Sequence, residues 1–395
     1  MRPVIYDPYS RQMQEDPYPT YRYFRDEEPC THNPKMDFYA LFRFEDVWDA
    51  TLDWKTHSSS LGPILENKGE IPGEVMSIIG MDPPRHVRIR NLVSKGFTPR
   101  RIAALEDEMR RIARRYLDRV AGQREIEFQA ALSNGLPMDV ISALVGIPEE
   151  DRATYRGWVD RGLERDPETG KAPAGAAEGM MSGSAYIQRL LEARRKRPRD
   201  DLVSLIAHAS YEDVDGATKH LLDHEVVAFV TLLAAAGAET TTKLLGNCMV
   251  FLARHPDQRH RLWQDPNLLP HAIEEALRYD APSQYQGRVA MRDVEIHGVT
   301  IPRGARVALV TGAACRDERE FPDPDRFDID RRPERAIVFG YGNHVCIGKA
   351  LARLEARVVL EEVRERFPDY EVDEAGLTRT YQAHVRGFAK VPIRV

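Results

Sequence analysis

Residues 339–348 read FGYGNHVCIG, three glycines, a histidine and a cysteine directly ahead of the helical pattern IGKALARLEARVVLEEVRERF. Ile347, Leu351, Leu354, Val358 and Val363 form an apolar stripe at helical spacing, which places Cys346 at a helix N-terminus. The unpaired N–H groups and dipole of such an end favour a thiolate over a thiol. Gly340, Gly342 and Gly348 permit positive φ and let a flat group approach the backbone. On these residues alone three readings stay open: a metal ligand, a nucleophile with His344 as base, or a glycine-rich turn with an incidental cysteine. Against the nucleophile, His344 is only two residues away, whereas Cys–His catalysis draws its histidine from distant sequence.

Composition limits what the loop can serve. The chain has 395 residues, 42% hydrophobic and 30% charged, the profile of a soluble globular protein large enough to enclose a cavity. Length alone predicts two domains. Acidic residues outnumber basic ones, 62 to 56, so no global positive field attracts nucleic acid or an anionic membrane. The N-terminus has neither a signal-peptide pattern nor a stop-transfer segment, which predicts a cytoplasmic protein without a membrane anchor. Cys30, Cys248, Cys315 and Cys346 form no C-x-x-C pair, so neither a disulfide framework nor a zinc site is indicated.

Helical periodicity dominates. A helix is expected at 45–52, and from Pro99 the steps Ile102, Leu105, Met109, Ile112, Ala113, Tyr116, Leu117 and Val120 predict an amphipathic helix with a basic outer face. Residues 166–184, rich in Gly, Ala and Pro, read as a mobile loop or weak helix end, a candidate lid or a plain linker, before a helix at 186–196. The longest apolar pattern, 223–254, contains VVAFVTLLAAAGAETT; its uninterrupted apolar part is too short for a bilayer, which predicts a helix through the protein centre. Residues 294–310 alternate and carry β-branched side chains, predicting short strands and a hairpin.

The loop at 339–348 resembles the haem-binding pattern F-G-x-G-x-H-x-C-x-G of the cytochrome P-450 family, in which the cysteine thiolate is the axial ligand of haem iron. Phe339, Gly340, Gly342, His344, Cys346 and Gly348 fall on its six specified positions. Three more stretches agree in the family's order. Ala236, Gly237, Ala238, Glu239, Thr240 and Thr241 resemble the oxygen-activation motif, which implies room for dioxygen beside the small residues, a local helix bulge at the threonine, and a proton relay through Glu239 and Thr240. Glu275 and Arg278 resemble the E-x-x-R pair, with a structural role implied. MDPPRHVRIRNLV resembles the propionate-binding helix, implying contacts from His86 and Arg90, with Arg288 and His344 as further propionate partners.

The resemblance covers nearly the whole chain. It implies a mainly α fold of triangular outline with a small β region from the N-terminal and 289–310 segments, a single catalytic domain over 1–395 in place of two. It also implies haem b, dioxygen as co-substrate, and electrons from NAD(P)H through a separate ferredoxin or flavodoxin docking on the cysteine side, with Arg100, Arg101, Lys349 and Arg353 as candidate contacts. A monomer is expected. The resulting expectation is a haem-thiolate monooxygenase acting on a lipophilic small molecule; a peroxide-using or non-oxygenating haem-thiolate enzyme, and a haem-binding sensor or carrier, are the alternatives. By family position the pocket draws on the segment 60–79, including Leu61, Ile64, Val75, Met76, Ile78 and Ile79, on Ala235, and on 283–287 and 382–385, where Gln284, Tyr285, Gln286, Gln382 and His384 offer hydrogen bonds or ring contacts. The residues do not select a substrate, a product type or a stereochemistry.

Overall fold

Stretches far apart in the chain build the main sheet. The computed structural model describes residues 4–65, 78–164, 172–213 and 216–395. Strands β1 (Cys30–Asn33), β2 (Phe38–Leu41), β3 (His57–Ser58), β4 (Gln286–Ala290) and β5 (Arg306–Leu309) lie in the order β1-β2-β5-β4-β3. Only β2 and β5 run parallel; the other neighbours are antiparallel. The hairpin expected within 294–310 is Val294–Ile296 against Val299–Ile301, with His297 and Gly298 at φ 52° and 76°, as a tight hairpin turn requires. Arg306–Leu309 leaves that hairpin for the main sheet because all four of its residues are buried and need neighbours on both faces.

The rest is mainly helix: α1 (Phe44–Leu52), α2 (Arg85–Val93), α3 (Glu106–Asp118), α4 (Leu136–Val145), α5 (Glu149–Leu163), α6 (Gly175–Lys196), α7 (Asp223–Arg254), α8 (Leu269–Tyr279) and α9 (Lys349–Arg366). The single helix expected from Pro99 is a short turn, Pro99–Ala103, followed by α3. Part of its basic face is ion-paired within the protein: Arg110 pairs with Glu106, Glu361 and Glu362, and Arg115 with Asp139 and Glu149.

The loop or weak helix end expected over 166–184 is corrected in its second half. Residues 165–171 lie outside the described residues, but Gly175 already begins α6, eleven residues before the expected start. The glycines there serve packing: a Cβ on Gly179 would stand 2.6 Å from the Trp158 carbonyl of α5 and 2.9 Å from the Gly162 nitrogen. Small residues let the two helices approach backbone to backbone, so the composition that reads as a loop is a helix contact.

Helix α7 is continuous for 32 residues. By length and composition the whole helix is apolar enough to cross a membrane. It packs instead against α4, α6, α8 and α9. The bulge expected at Thr240 is absent from this helix; the threonine hydroxyl donates to the Ala236 carbonyl (2.9 Å) alongside an unbroken helical run. The helices share the large core, while an aromatic cluster of Tyr6, Tyr21, Phe24, Phe38, Phe42 and Tyr285 fills the space beneath the sheet, with Phe24 and Phe42 stacked at 4.6 Å.

Candidate functional site

The loop 339–348 is shaped by its own backbone. The Cys346 amide donates to the Phe339 carbonyl (2.8 Å), closing a turn in which Gly340 and Gly342 adopt φ 68° and 65°. Gly342 also abuts α1, since a Cβ there would lie 3.0 Å from the Thr51 carbonyl. Gly348 differs from the expectation: its φ is −85°, so the left-handed region is not what it supplies, and it caps α9. The Phe339 ring lies under the Arg353 guanidinium at 4.8 Å, and Arg353 is fixed by two hydrogen bonds to Glu274 (2.5 and 2.9 Å).

Cys30, Cys248 and Cys315 are buried, and burial pushes each thiol up to about 12. Cys346 alone is exposed as a residue, although its sulfur is crowded by the loop. Desolvation there raises the thiol above its ordinary value, while the Gly348 N–H, Arg90, Arg353 and Lys349 act in the opposite direction without overcoming it. A coordinated cation would deprotonate the sulfur outright.

Four side chains gather beside this loop. His86 is 1% exposed and, among the described residues, neither ring nitrogen has a hydrogen-bond partner; burial holds it down to about 4. Its ring lies 4.1 Å, centroid to centroid, from that of His344, whose Nε2 is also unpartnered. Arg90, one helical turn beyond His86, donates to the Val345 carbonyl next to the cysteine. Arg288 of β4 is buried, donates to the Gly287 carbonyl (2.7 Å), and is pulled down to about 10 by desolvation. Among the described residues no carboxylate forms an ion pair with it. Buried cations and imidazoles without anions are costly unless an anionic group completes them.

Helix α7 changes character at its middle. Ala236 is exposed, and a Cβ on Gly237 would meet nothing within 4 Å, whereas one on Gly246 of the same helix would stand 2.5 Å from Gln129. Ala235 and Gly237 are half-buried. The donor set, the orphaned imidazoles and this open helix face fit a flat iron porphyrin with two carboxylates: Cys346 for the metal, His86, Arg90, Arg288 and His344 for the carboxylates.

Glu275 and Arg278 of α8 are both buried and join through two bonds of 2.7 and 2.8 Å. Arg278 also donates to the carbonyls of Cys315 (3.0 Å) and Pro324 (2.8 Å), and Glu275 accepts from the Asp328 amide (2.9 Å). The pair thus fastens the irregular stretch that leads into the loop.

Two pocket expectations are corrected. Gln284 gives its amide to the Ala281 carbonyl (2.6 Å), accepts from the Tyr21 hydroxyl (2.8 Å), and would be struck by a Cβ on Gly312, so it is committed to the N-terminal packing. Tyr285 is fully buried in the aromatic cluster. Gln286 bonds Ser283 (2.7 Å). His384 sets its ring edge to Tyr285 at 5.5 Å, Ile78 is buried and Ile79 exposed, while Val75 and Met76 lie outside the described residues. Gln382 donates to Glu239 Oε1 (2.8 Å), a bond that joins a pocket expectation to a relay expectation. Sequence reasoning missed His57, buried beside Arg288 and held down to about 4 by desolvation, and Lys243, buried one turn beyond Glu239. A histidine in a β-strand and a lysine in an apolar helix were the available signals.

The sequence profile described as Cytochrome P450 matches residues 181–377. Cytochrome P450 123 of Mycobacterium tuberculosis is 40% identical over 99% of this chain and 97% of its own length. The chain belongs to the cytochrome P450 family. Two solved P450 structures are similar throughout: CYP109Q5 from Chondromyces apiculatus, with 34% identity, 98% and 97% coverage and a TM-score of 0.89, and CYP109E1 from Bacillus megaterium in complex with corticosterone, with 32% identity, 97% and 99% coverage and a TM-score of 0.87. This P450 is a bacterial-type monooxygenase, and its family uses haem iron and dioxygen. Of the four cations considered for docking on the cysteine side, Arg101 pairs with Asp200 and Arg353 with Glu274; Arg100 and Lys349 are exposed.

Proposed function

We propose that this P450, acting as one catalytic domain over 1–395 and as a cytoplasmic monomer, inserts one oxygen atom from dioxygen into a lipophilic small molecule. Electrons come from NAD(P)H through a separate ferredoxin or flavodoxin that docks on the Cys346 side. The balance is R–H + O2 + 2H+ + 2e− giving R–OH + H2O. When bound, the haem supplies dioxygen binding and activation at an iron held by the Cys346 thiolate.

The protein's own part is binding, orientation and proton supply. His86, Arg90, Arg288 and His344 would hold the haem carboxylates. The Glu239 carboxylate would take up a proton from the solvent side, and Thr240 Oγ1, whose hydroxyl now rests on the Ala236 carbonyl (2.9 Å), would accept that proton as it releases its own toward the open helix face at Ala236 and Gly237. Ile78, Ile79, Ala235 and the turn carrying Gln382 and His384 would border the substrate, with Gln382 and His384 as the polar groups that orient it. The carrying observation is the open face of α7 at Ala236 and Gly237, set directly before Glu239 and Thr240.

Corticosterone, the ligand of one structural neighbour, is a suitable lipophilic probe. The reading expects a spin-state shift on its addition and, with ferredoxin, reductase and 18O2, a product carrying one labelled oxygen. A panel of steroids, fatty acids and macrolides that gives neither shift nor labelled product would overturn it.

A further inference from the structure

The C-terminal turn reaches α7 by one side-chain bond. Gln382 Nε2 donates to Glu239 Oε1 at 2.8 Å, across 143 residues of sequence. The turn itself is anchored from the other side, because the backbone N–H of Gln284 donates to the His384 carbonyl (2.9 Å) and Ser283 bridges Val385. The turn that carries Gln382 is thus tied to the 283–284 segment two and three residues further on, at His384 and Val385, which holds the glutamine side chain in reach of Glu239. A glutamine amide fixed in this way gives a carboxylate a direction without changing its charge.

A second group faces the same acid from the helix. Lys243 lies one turn beyond Glu239, is 9% exposed, and its Nζ has a long contact with the Phe388 carbonyl (3.4 Å). Burial lowers its affinity for the proton, and the charge of Glu239 acts against that. Its stem is pressed by the chain at Gly387, where a Cβ would stand 2.5 Å from the Lys243 Cβ. Glu239 thus has a donor from the C-terminal turn and a buried cation beneath it.

We infer that Gln382 is a positioning residue for the reaction: through its amide it orients the Glu239 carboxylate beside Thr240, with Lys243 supporting the charge. This rests on the relay assigned to Glu239 above. The C-terminal turn then has two tasks, bordering the substrate and holding the proton donor in place, so a ligand that draws the Gln382 amide to itself alters proton supply as well as fit.

The test measures the share of NADPH electrons that leave as hydrogen peroxide (O2 + 2H+ + 2e− giving H2O2) rather than as water or product. It uses full-length haem-loaded enzyme with ferredoxin and reductase, both without added ligand and with corticosterone. Glu239→Gln, Gln382→Leu and Gln382→Glu are compared with the parent, each first checked for an unchanged carbon monoxide spectrum. The inference expects the peroxide share to rise several-fold in Glu239→Gln and in both Gln382 variants, including in the absence of ligand. A Gln382 that only borders the pocket would change the corticosterone titration yet leave the ligand-free share at the parent value, and that result would overturn the inference. A parent-like share in Glu239→Gln would instead overturn the relay itself. If Gln382→Leu alone fails to fold, Gln382→Glu, which removes the donor and adds a like charge, still decides the point.

Discussion

Arg278 meets Glu275 through both Nε and Nη2, at 2.8 and 2.7 Å, and spends its remaining nitrogen on the carbonyls of Cys315 and Pro324. One guanidinium thereby joins α8 to the chain that runs into the cysteine loop. Removing either partner leaves an uncompensated buried charge, at a cost of about 3–5 kcal/mol. Arg278→Ala and Glu275→Gln should therefore yield protein that loses its haem and melts well below the parent, read as haem per chain and by calorimetry. Arg278→Lys, a point charge without the planar fork, should rescue little.

Arg288 should respond with opposite signs in the two forms of the protein. Buried and, among the described residues, without a carboxylate in an ion pair, Arg288 is a cost in the haem-free protein, whereas a haem carboxylate would complete it. Arg288→Met is expected to raise apoprotein stability by about 1 kcal/mol or more while weakening haem retention at least tenfold. Urea unfolding of the apoprotein and haem transfer to apomyoglobin read the two effects separately.

The Asp280 carboxylate predicts an acid limb. Burial would raise its pKa, but Arg386 (2.7 Å), Arg379 (2.6 Å) and the Tyr18 hydroxyl (2.6 Å) more than offset this and hold it well below the usual carboxylate range. Because the folded value lies below the unfolded one, the contribution is fully present above about pH 5 and fades as the pH falls below about 4. Asp280→Asn should cost about 3 kcal/mol at pH 7, and its deficit relative to the parent should narrow at pH 4, measured by urea unfolding.

Gly342 should not tolerate a side chain. Its φ of 65° and the Thr51 carbonyl 3.0 Å from a built Cβ act together, so Gly342→Ala is expected to cost about 1–3 kcal/mol and to lower haem content. Gly348→Ala, at φ −85° and with ordinary van der Waals distances, should cost less. Side-by-side melting of the two variants checks the order.

Much of this was legible where one property of the sequence suffices. The apolar stripe after Cys346 becomes α9, the E-x-x-R spacing places Glu275 and Arg278 on one turn, and Pro256 follows the end of α7. Reading failed where the partner decides. Gly179 reads as a loop residue until Trp158 is brought against it, and Gln284 reads as a pocket residue until Tyr21, far away in sequence, claims its carbonyl. The Gln382–Glu239 bond could not be foreseen at all, because nothing local in either residue encodes a contact across the whole C-terminal third of the chain.

The central claim is that Cys346 ligates haem iron as a thiolate, and the most direct test is the absorbance spectrum of the reduced, carbon monoxide-bound protein with Cys346→Ala as its partner. A strongly red-shifted Soret band is expected in the parent and is lost in Cys346→Ala. An ordinary histidine-type band in the parent, or a red-shifted band that survives in Cys346→Ala, would contradict it.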